Sequence, residues 1–367
     1  MALLSEMSDK VYKPSPPPKE KLKISLPELK SEQITMQGKI QEHFTNAGYA
    51  IPGIEKGGEL MEEEKFWLSY ECQLRYLRAT KWKVDDAIKR LESTLKWRRD
   101  FGLYTHITPE YIEPEAITGK EILFGYDVYG RPGFYMIPSR QNTTEATRQI
   151  EFAVWMLERC IDLMDEDVES LSLLINFADK AKNPSMSTSR TVLSILQNHY
   201  PERLGKALVI NVPYLVNMFF KLITPFIDPI TVQKLKFNPD VVKDGIFAED
   251  QVMKDFWGGN MNFEYDHEKY WPALVNLCQT RKLKWIDEWK KLGGKVGICE
   301  SDYKTGKSGQ PASTEAETPK KDEANTLTLT ESLDEAAIEG VRVPLPSVTS
   351  LELEDLKLDS TEQVASP

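Results

Sequence analysis

Two runs of this chain concentrate residue types that bind or react. His199 to Asn211 (HYPERLGKALVIN) brings a helix end, a proline, a glutamate, an arginine, a glycine and a lysine straight into an apolar strand. Pro225 to Phe237 (PFIDPITVQKLKF) sets two prolines at helix boundaries and Lys234 at the start of an apolar segment. Catalytic signatures are sparse elsewhere. No G-x-S-x-G elbow, P-loop or G-x-G-x-x-G following a strand is found. His43, His106, His199 and His267 have no metal-ligand spacing, and His199, at a helix end, reads as structural. Cys72, Cys160, Cys278 and Cys299 form no C-x-x-C pair, so reduced thiols are expected and neither zinc nor disulfides. Cys160 reads as a core residue. The chain is therefore expected to be a binding protein, with no cofactor and no metal. An esterase acting on a captured ligand is the rival from another class, and the missing nucleophile motif speaks against it.

Composition narrows the class. The 367 residues carry a net charge of −11, which disfavours general nucleic-acid binding. The acid is uneven. From Glu300 onward, 15 Asp and Glu face 6 Lys and Arg, so residues 1–299 hold only about −2 and a local basic face is allowed. The start, MALLSEMSDK, has no long apolar stretch, and no window reaches about 18 uninterrupted apolar residues. A cytosolic protein that visits membranes peripherally, from the water side, is expected.

The elements that would position the two runs follow from periodicity. Residues 1–30, with five prolines and many lysines, read as a disordered arm, and residues 301–367 as an acidic disordered tail. Within that tail, LELEDLKL has the pattern of a short helix formed on a partner. Residues 31–115 read as a helical N-terminal subdomain. One helix is expected over residues 64–80 and another from Val84 to Phe101, capped by Asp85 or Asp86. Residues 116–300 change style. EILFGYDVYGRPGFYMIPS reads as strand, turn, strand, with Gly130 suited to positive φ. A helix from Glu145 to Met164, a strand SLSLLINFA, a helix from Ser187 to His199 and a strand KALVINVP follow. Continuous apolar strands joined by helices indicate parallel pairing. A short strand at Leu235 to Phe237 and a long helix from His267 to about Leu292, ended by Gly293-Gly294, close an α/β domain. The run Tyr214 to Leu222 (YLVNMFFKL) has no clean polar face and reads as a buried or lipid-facing helix bracketed by Pro213, Pro225 and Pro229.

These runs, with LRYLRATKWKVDDAIKRLESTLKWRRDFG and DVYGRP, resemble the CRAL-TRIO lipid-binding family. YPERLGKAL, PFIDPITVQKL and YDHEKYWPALV are similar to fungal phosphatidylinositol transfer proteins of the pleiotropic drug-resistance subgroup. The resemblance spans roughly residues 45–305. It implies a mostly parallel sheet as the floor of an apolar pocket, helices around it and a helical subdomain before it. It implies that Glu202 and Lys234, 32 residues apart, bind the inositol phosphate headgroup, with Thr231 beside them. Physical chemistry agrees. A cation about 4 Å from a lipid phosphate contributes on the order of 4 kcal/mol at an effective dielectric near 20, and a carboxylate accepts charge-assisted bonds from inositol hydroxyls. Lys81 belongs to the same set, but Thr80 stands where the family's lead member has an arginine. The resemblance also makes Tyr214 to Leu222, with Leu215, Met218, Phe219 and Phe220, a gate that swings to admit lipid.

The lead member also carries phosphatidylcholine, through hydroxyls that read here as Phe134, Leu157, Leu174 and Leu196, with Ser172 alone keeping one. Poor phosphatidylcholine binding and an apolar second ligand such as a sterol are therefore expected. The expected function is transfer of phosphatidylinositol between membranes such as endoplasmic reticulum, lipid droplets or plasma membrane. The alternative is a sensor presenting phosphatidylinositol to a lipid kinase.

Overall fold

A computed structural model describes residues 10–24, 27–179, 186–214 and 232–305. By internal contacts the chain divides into two units, Met1–Pro311 and Ala312–Pro367. The second lies outside the described residues, and the architecture is that of the first.

Four helices open the fold: α1 (Ser31–Thr45), α2 (Glu62–Trp67), α3 (Tyr70–Ala79) and α4 (Val84–Asp100). Leu77, Ala87, Leu91 and Leu95 are fully buried against Ile40, Phe44 and Leu68 in one apolar core. The single helix expected over residues 64–80 is two. Ser69 breaks it, because its Oγ accepts the Cys72 amide at 3.1 Å and so caps α3. The cap of α4 is Lys83, not Asp85 or Asp86. Both acids lie in the first turn, where they complement the helix dipole.

Helix α5 (Pro109–Ala116) leads into a five-stranded sheet ordered β1 (Glu121–Tyr126), β2 (Pro132–Met136), β3 (Leu171–Asn176), β4 (Leu204–Ile210), β5 (Leu235–Phe237). The first pair is antiparallel and the other three are parallel. Asp127 builds the hairpin turn, its Oδ1 accepting the amides of Tyr129 (2.9 Å) and Arg131 (3.0 Å), while Gly130 takes φ 75°. Two of the three crossovers that parallel pairing needs are α6 (Ala146–Asp162) and α7 (Met186–His199), and the third, between β4 and β5, lies mostly outside the described residues. Helix α8 (His267–Lys291) packs on α6 through Trp271 and Trp155, 5.0 Å apart, and reaches β1 through the Tyr270 hydroxyl. Gly293 and Gly294 end it with positive φ. A bulge near Gly125 bends β1. A Cβ there would lie 1.8 Å from the Gln251 carbonyl oxygen at φ +64°. Gly125→Ala is therefore expected to cost about 3 kcal/mol or more, read by urea unfolding.

Both ends of the folded region extend further than expected. Residues 10–24 are not a free arm. Val11 bridges Phe263, the Leu22 amide binds the Val128 carbonyl, and Lys269 sits over the Tyr12 ring. At the other end, α9 (Glu300–Lys304) buries Tyr303 against Phe66, Trp285 and Trp289. A single aromatic in a polar segment was enough to dock one more helical turn.

Candidate functional site

Strands β4 and β5 run parallel, so their starting ends lie side by side. Ala207 of β4 donates its amide to the Lys234 carbonyl at 2.9 Å, placing Lys234 at that end. Glu202 lies two residues before β4. The turn from α7 into β4 sorts its side chains. Tyr200 and Arg203 are buried, bonded to Glu158 Oε1 (2.7 Å) and to the Glu169 carbonyl (2.9 Å). Glu202, at φ 62°, is turned outward and its side chain is 39% exposed. That left-handed conformation is uncommon outside glycine and is held here by the pinned neighbours.

Glu202 Oε2 lies 3.6 Å from Arg78 Nε. The Arg78 guanidinium also binds Glu169 Oε2 at 2.9 Å, which in turn takes Arg75 at 2.9 Å. Lys234 Nζ donates to the Leu204 carbonyl at 2.8 Å, so its ammonium lies over the start of β4, and Leu204 is two residues after Glu202. Lys81 is exposed in the α3–α4 turn at φ 52°. Thr231, Leu215, Met218, Phe219 and Phe220 lie outside the described residues. Sequence reading missed Arg78. Its signal was the i, i+3 pair with Arg75 on α3, which places two guanidinium groups on one helix face.

The sheet presents two different faces. Residues paired across parallel strands share a face, so the register reads directly. Ile122, Tyr135, Ser172, Leu174 and Leu208 form one side. Trp257 meets Tyr135 edge-on at 5.9 Å and Phe263 meets Phe124 at 4.7 Å on that side. The other side carries two rows across all five strands. One is Leu123, Phe134, Leu173, Ala207, Leu235, and the other is Glu121, Met136, Ile175, Val209, Phe237. Helix α6 packs against β1 and β2 and buries Leu157, while Leu196 on α7 is 37% exposed. Leu173, Ile175, Met136 and Leu235 are half-buried and Phe237 is 44% exposed.

This register divides the residues expected to line the pocket between two faces. Phe134 pairs with Leu173, so Ser172 and Leu174 face away from it. The Ser172 hydroxyl is engaged on that far side, donating to Asp127 Oδ2 at 2.7 Å. The residues that share a wall with Phe134 are Leu173 and Ile175. A one-residue slip reverses every side chain of a strand, and LSLLIN, apolar at nearly every position, offers no alternation to set the phase.

Other reactive groups are structural. His199 stacks on Trp97 at 4.2 Å and bonds Thr94, and burial with the nearby Arg90 and Arg98 charges lowers its pKa to about 4. Burial pushes the Cys160 thiol well above its ordinary range, which removes it as a nucleophile. Among the described residues no cluster of His, Cys, Asp or Glu is placed to hold a metal.

The CRAL/TRIO domain description matches residues 117–259, which include all five strands with Glu202 and Lys234. The CRAL/TRIO N-terminal domain matches residues 25–93, including Arg78 and Lys81. The phosphatidylinositol transfer protein PDR17 of Saccharomyces cerevisiae is 39% identical over 261 residues, covering 67% of this chain and 73% of that protein. The chain belongs to the CRAL-TRIO family. A CRAL-TRIO domain-containing protein of Schizosaccharomyces pombe is 52% identical over 253 residues, 68% of this chain but only 25% of that longer protein. The SEC14 cytosolic factor of Candida glabrata is 30% identical over 182 residues, 44% of this chain and 60% of that one. In CRAL-TRIO terms, the apolar rows belong to the larger matched region. The cation beside Glu202 comes from the N-terminal one.

Proposed function

We propose that this chain extracts phosphatidylinositol from one membrane, carries it in an apolar cavity floored by the Phe134–Leu173–Ile175 face, and exchanges it at another. The observation that carries the reading is the pairing of two largely apolar rows with Glu202 and Lys234 at one end of β4 and β5. The names of the PDR17 and SEC14 relatives support the substrate class. Glu202 accepts from the inositol hydroxyls, Lys234 neutralises the phosphate, and Thr231 supplies a further bond. Lys81 and Arg78 add positive potential, Arg78 offsetting the missing arginine at position 80. Two acyl chains hold about 30 methylenes, each worth about 0.8 kcal/mol in apolar surroundings. Passage through water thus needs a closed cavity, and Leu215, Met218, Phe219 and Phe220 serve as its gate. No helix among the described residues is long and apolar enough to cross a membrane, so contact with the bilayer is peripheral in this reading.

The second ligand is apolar, with a sterol as the fitting type, and phosphatidylcholine is poor. The floor offers a phosphocholine no hydroxyl, since the Ser172 hydroxyl is taken by Asp127 on the far face. Burying that headgroup without partners costs a few kcal/mol. Transfer between donor and acceptor vesicles is expected to run at least about tenfold faster for phosphatidylinositol than for phosphatidylcholine. Equal rates would sink the reading of the floor.

A further inference from the structure

One acid stands in the floor. Glu121 opens β1 and, through its pairing with Met136, belongs to the row that ends at Phe237. The residue is 8% exposed, and its Oε2 has no hydrogen-bond partner among the described residues. The adjacent lysine does not neutralise it. Lys120 bonds Glu115 instead, and Glu115 also takes Arg148 (2.9 Å) and Thr143 (2.5 Å). Four strand spacings of about 4.8 Å place Glu121 about 19 Å across the sheet from Phe237, at the edge opposite β5. A polar group left unpaired in a dry site is costly and calls for an explanation.

We propose that the Glu121 carboxyl is a hydrogen-bonding anchor for the polar end of an uncharged lipid, a hydroxyl or an ester carbonyl, lying along the floor. This rests on the reading of that face as the wall of the lipid cavity. Burial, with the Glu115 charge adding to it against the pull of Lys120, raises the Glu121 pKa to about 8. The group is therefore mostly protonated at neutral pH and donates as well as accepts. A carboxylic acid kept neutral by an apolar site is a recognised way to place a donor there. Glu202 and Lys234 select the charged headgroup at one pole, and Glu121 selects a neutral one at the other.

The test uses the full chain with Glu121→Gln and Glu121→Met, alongside Glu202→Ala/Lys234→Ala. Dehydroergosterol and dioleoylglycerol are the neutral probes, and phosphatidylinositol transfer is read in parallel. Glu121→Met is expected to melt higher than wild type, because an unpaired carboxyl is gone. It should bind a neutral probe about tenfold more weakly, with phosphatidylinositol transfer within about twofold. Glu121→Gln should stay within about threefold of wild type for that probe. Loss for dehydroergosterol alone assigns the anchor to a sterol hydroxyl, and loss for both probes to the shared hydroxyl chemistry. Infrared difference spectra of wild type should show the protonated carboxyl band shifting on loading, and Glu121→Gln should lack it, a readout independent of how Glu121→Met folds. Unchanged neutral-lipid binding in Glu121→Met, or no band shift, overturns the anchor. A wild type that binds neither neutral probe also overturns it, and one that fails to take phosphatidylinositol as well overturns the carrier reading beneath it.

Discussion

Glu158→Ala is expected to lower the unfolding free energy by about 3–5 kcal/mol. Glu158 on α6 and Arg98 on α4 form a bidentate pair at 2.8 and 3.1 Å, with side chains 14% and 5% exposed. Arg98 Nε also donates to the Tyr104 hydroxyl at 2.7 Å, and the Tyr200 hydroxyl donates to Glu158. Removing the carboxylate strands a buried guanidinium between the N-terminal helices and the sheet domain. The double change Arg98→Met/Glu158→Leu should recover most of the loss, because two apolar residues leave no charge behind. The sign of the pH dependence follows. Burial alone would raise the Glu158 carboxyl, but the charge and bonds of Arg98, with Lys282 and the Tyr200 hydroxyl, hold it well below the usual carboxylate range. Its contribution is fully present above the unfolded value of about 4.3 and is lost as pH falls through the folded value. The wild-type advantage over Glu158→Ala should thus be full at pH 7 and shrink below about pH 4. Urea unfolding at both ends of that range checks it, and an unchanged gap would exclude the pair as its source.

Glu202→Ala/Lys234→Ala carries the largest functional effect. Bonds to charged groups contribute about 1.5–3 kcal/mol each, so the double variant should bind phosphatidylinositol at least about two orders of magnitude more weakly. Glu202 is turned outward with its side chain 39% exposed, so its part of the change should move the melting temperature little. Neutral-lipid binding should persist. Arg78→Gln should give a smaller loss, since Arg78 meets Glu202 at 3.6 Å but also holds Glu169. Vesicle titrations with anionic and neutral lipids separate these cases.

The chain's own signals set most of this fold. DVYGRP specifies its hairpin because Asp127 and Gly130 each satisfy a turn requirement. The crossover helices and β5 also fall where periodicity places them, and Gly293 and Gly294 end α8 as expected. What stayed hidden depended on tertiary partners. The phase of β3 is set by pairing with β2, not by its own residues, so Leu173 and Ile175, and not Ser172 and Leu174, share a face with Phe134. Ser69 divides α2 from α3 through one capping bond inside an otherwise helical pattern. Residues 10–24 look like linker by composition, yet they dock because their few apolar and aromatic side chains find Phe263 and Lys269. Arg78 joins Glu202 only after some 120 residues of chain have folded between them. Glu121 was visible as the first residue of a strand, but its lack of a partner is a property of the folded interior.

The most direct measurement is native mass spectrometry with lipid extraction on wild-type protein purified from a eukaryotic host. The account predicts phosphatidylinositol bound one to one, and its disappearance from Glu202→Ala/Lys234→Ala. Wild type loaded with phosphatidylcholine and free of phosphatidylinositol would contradict both the headgroup residues and the apolar floor.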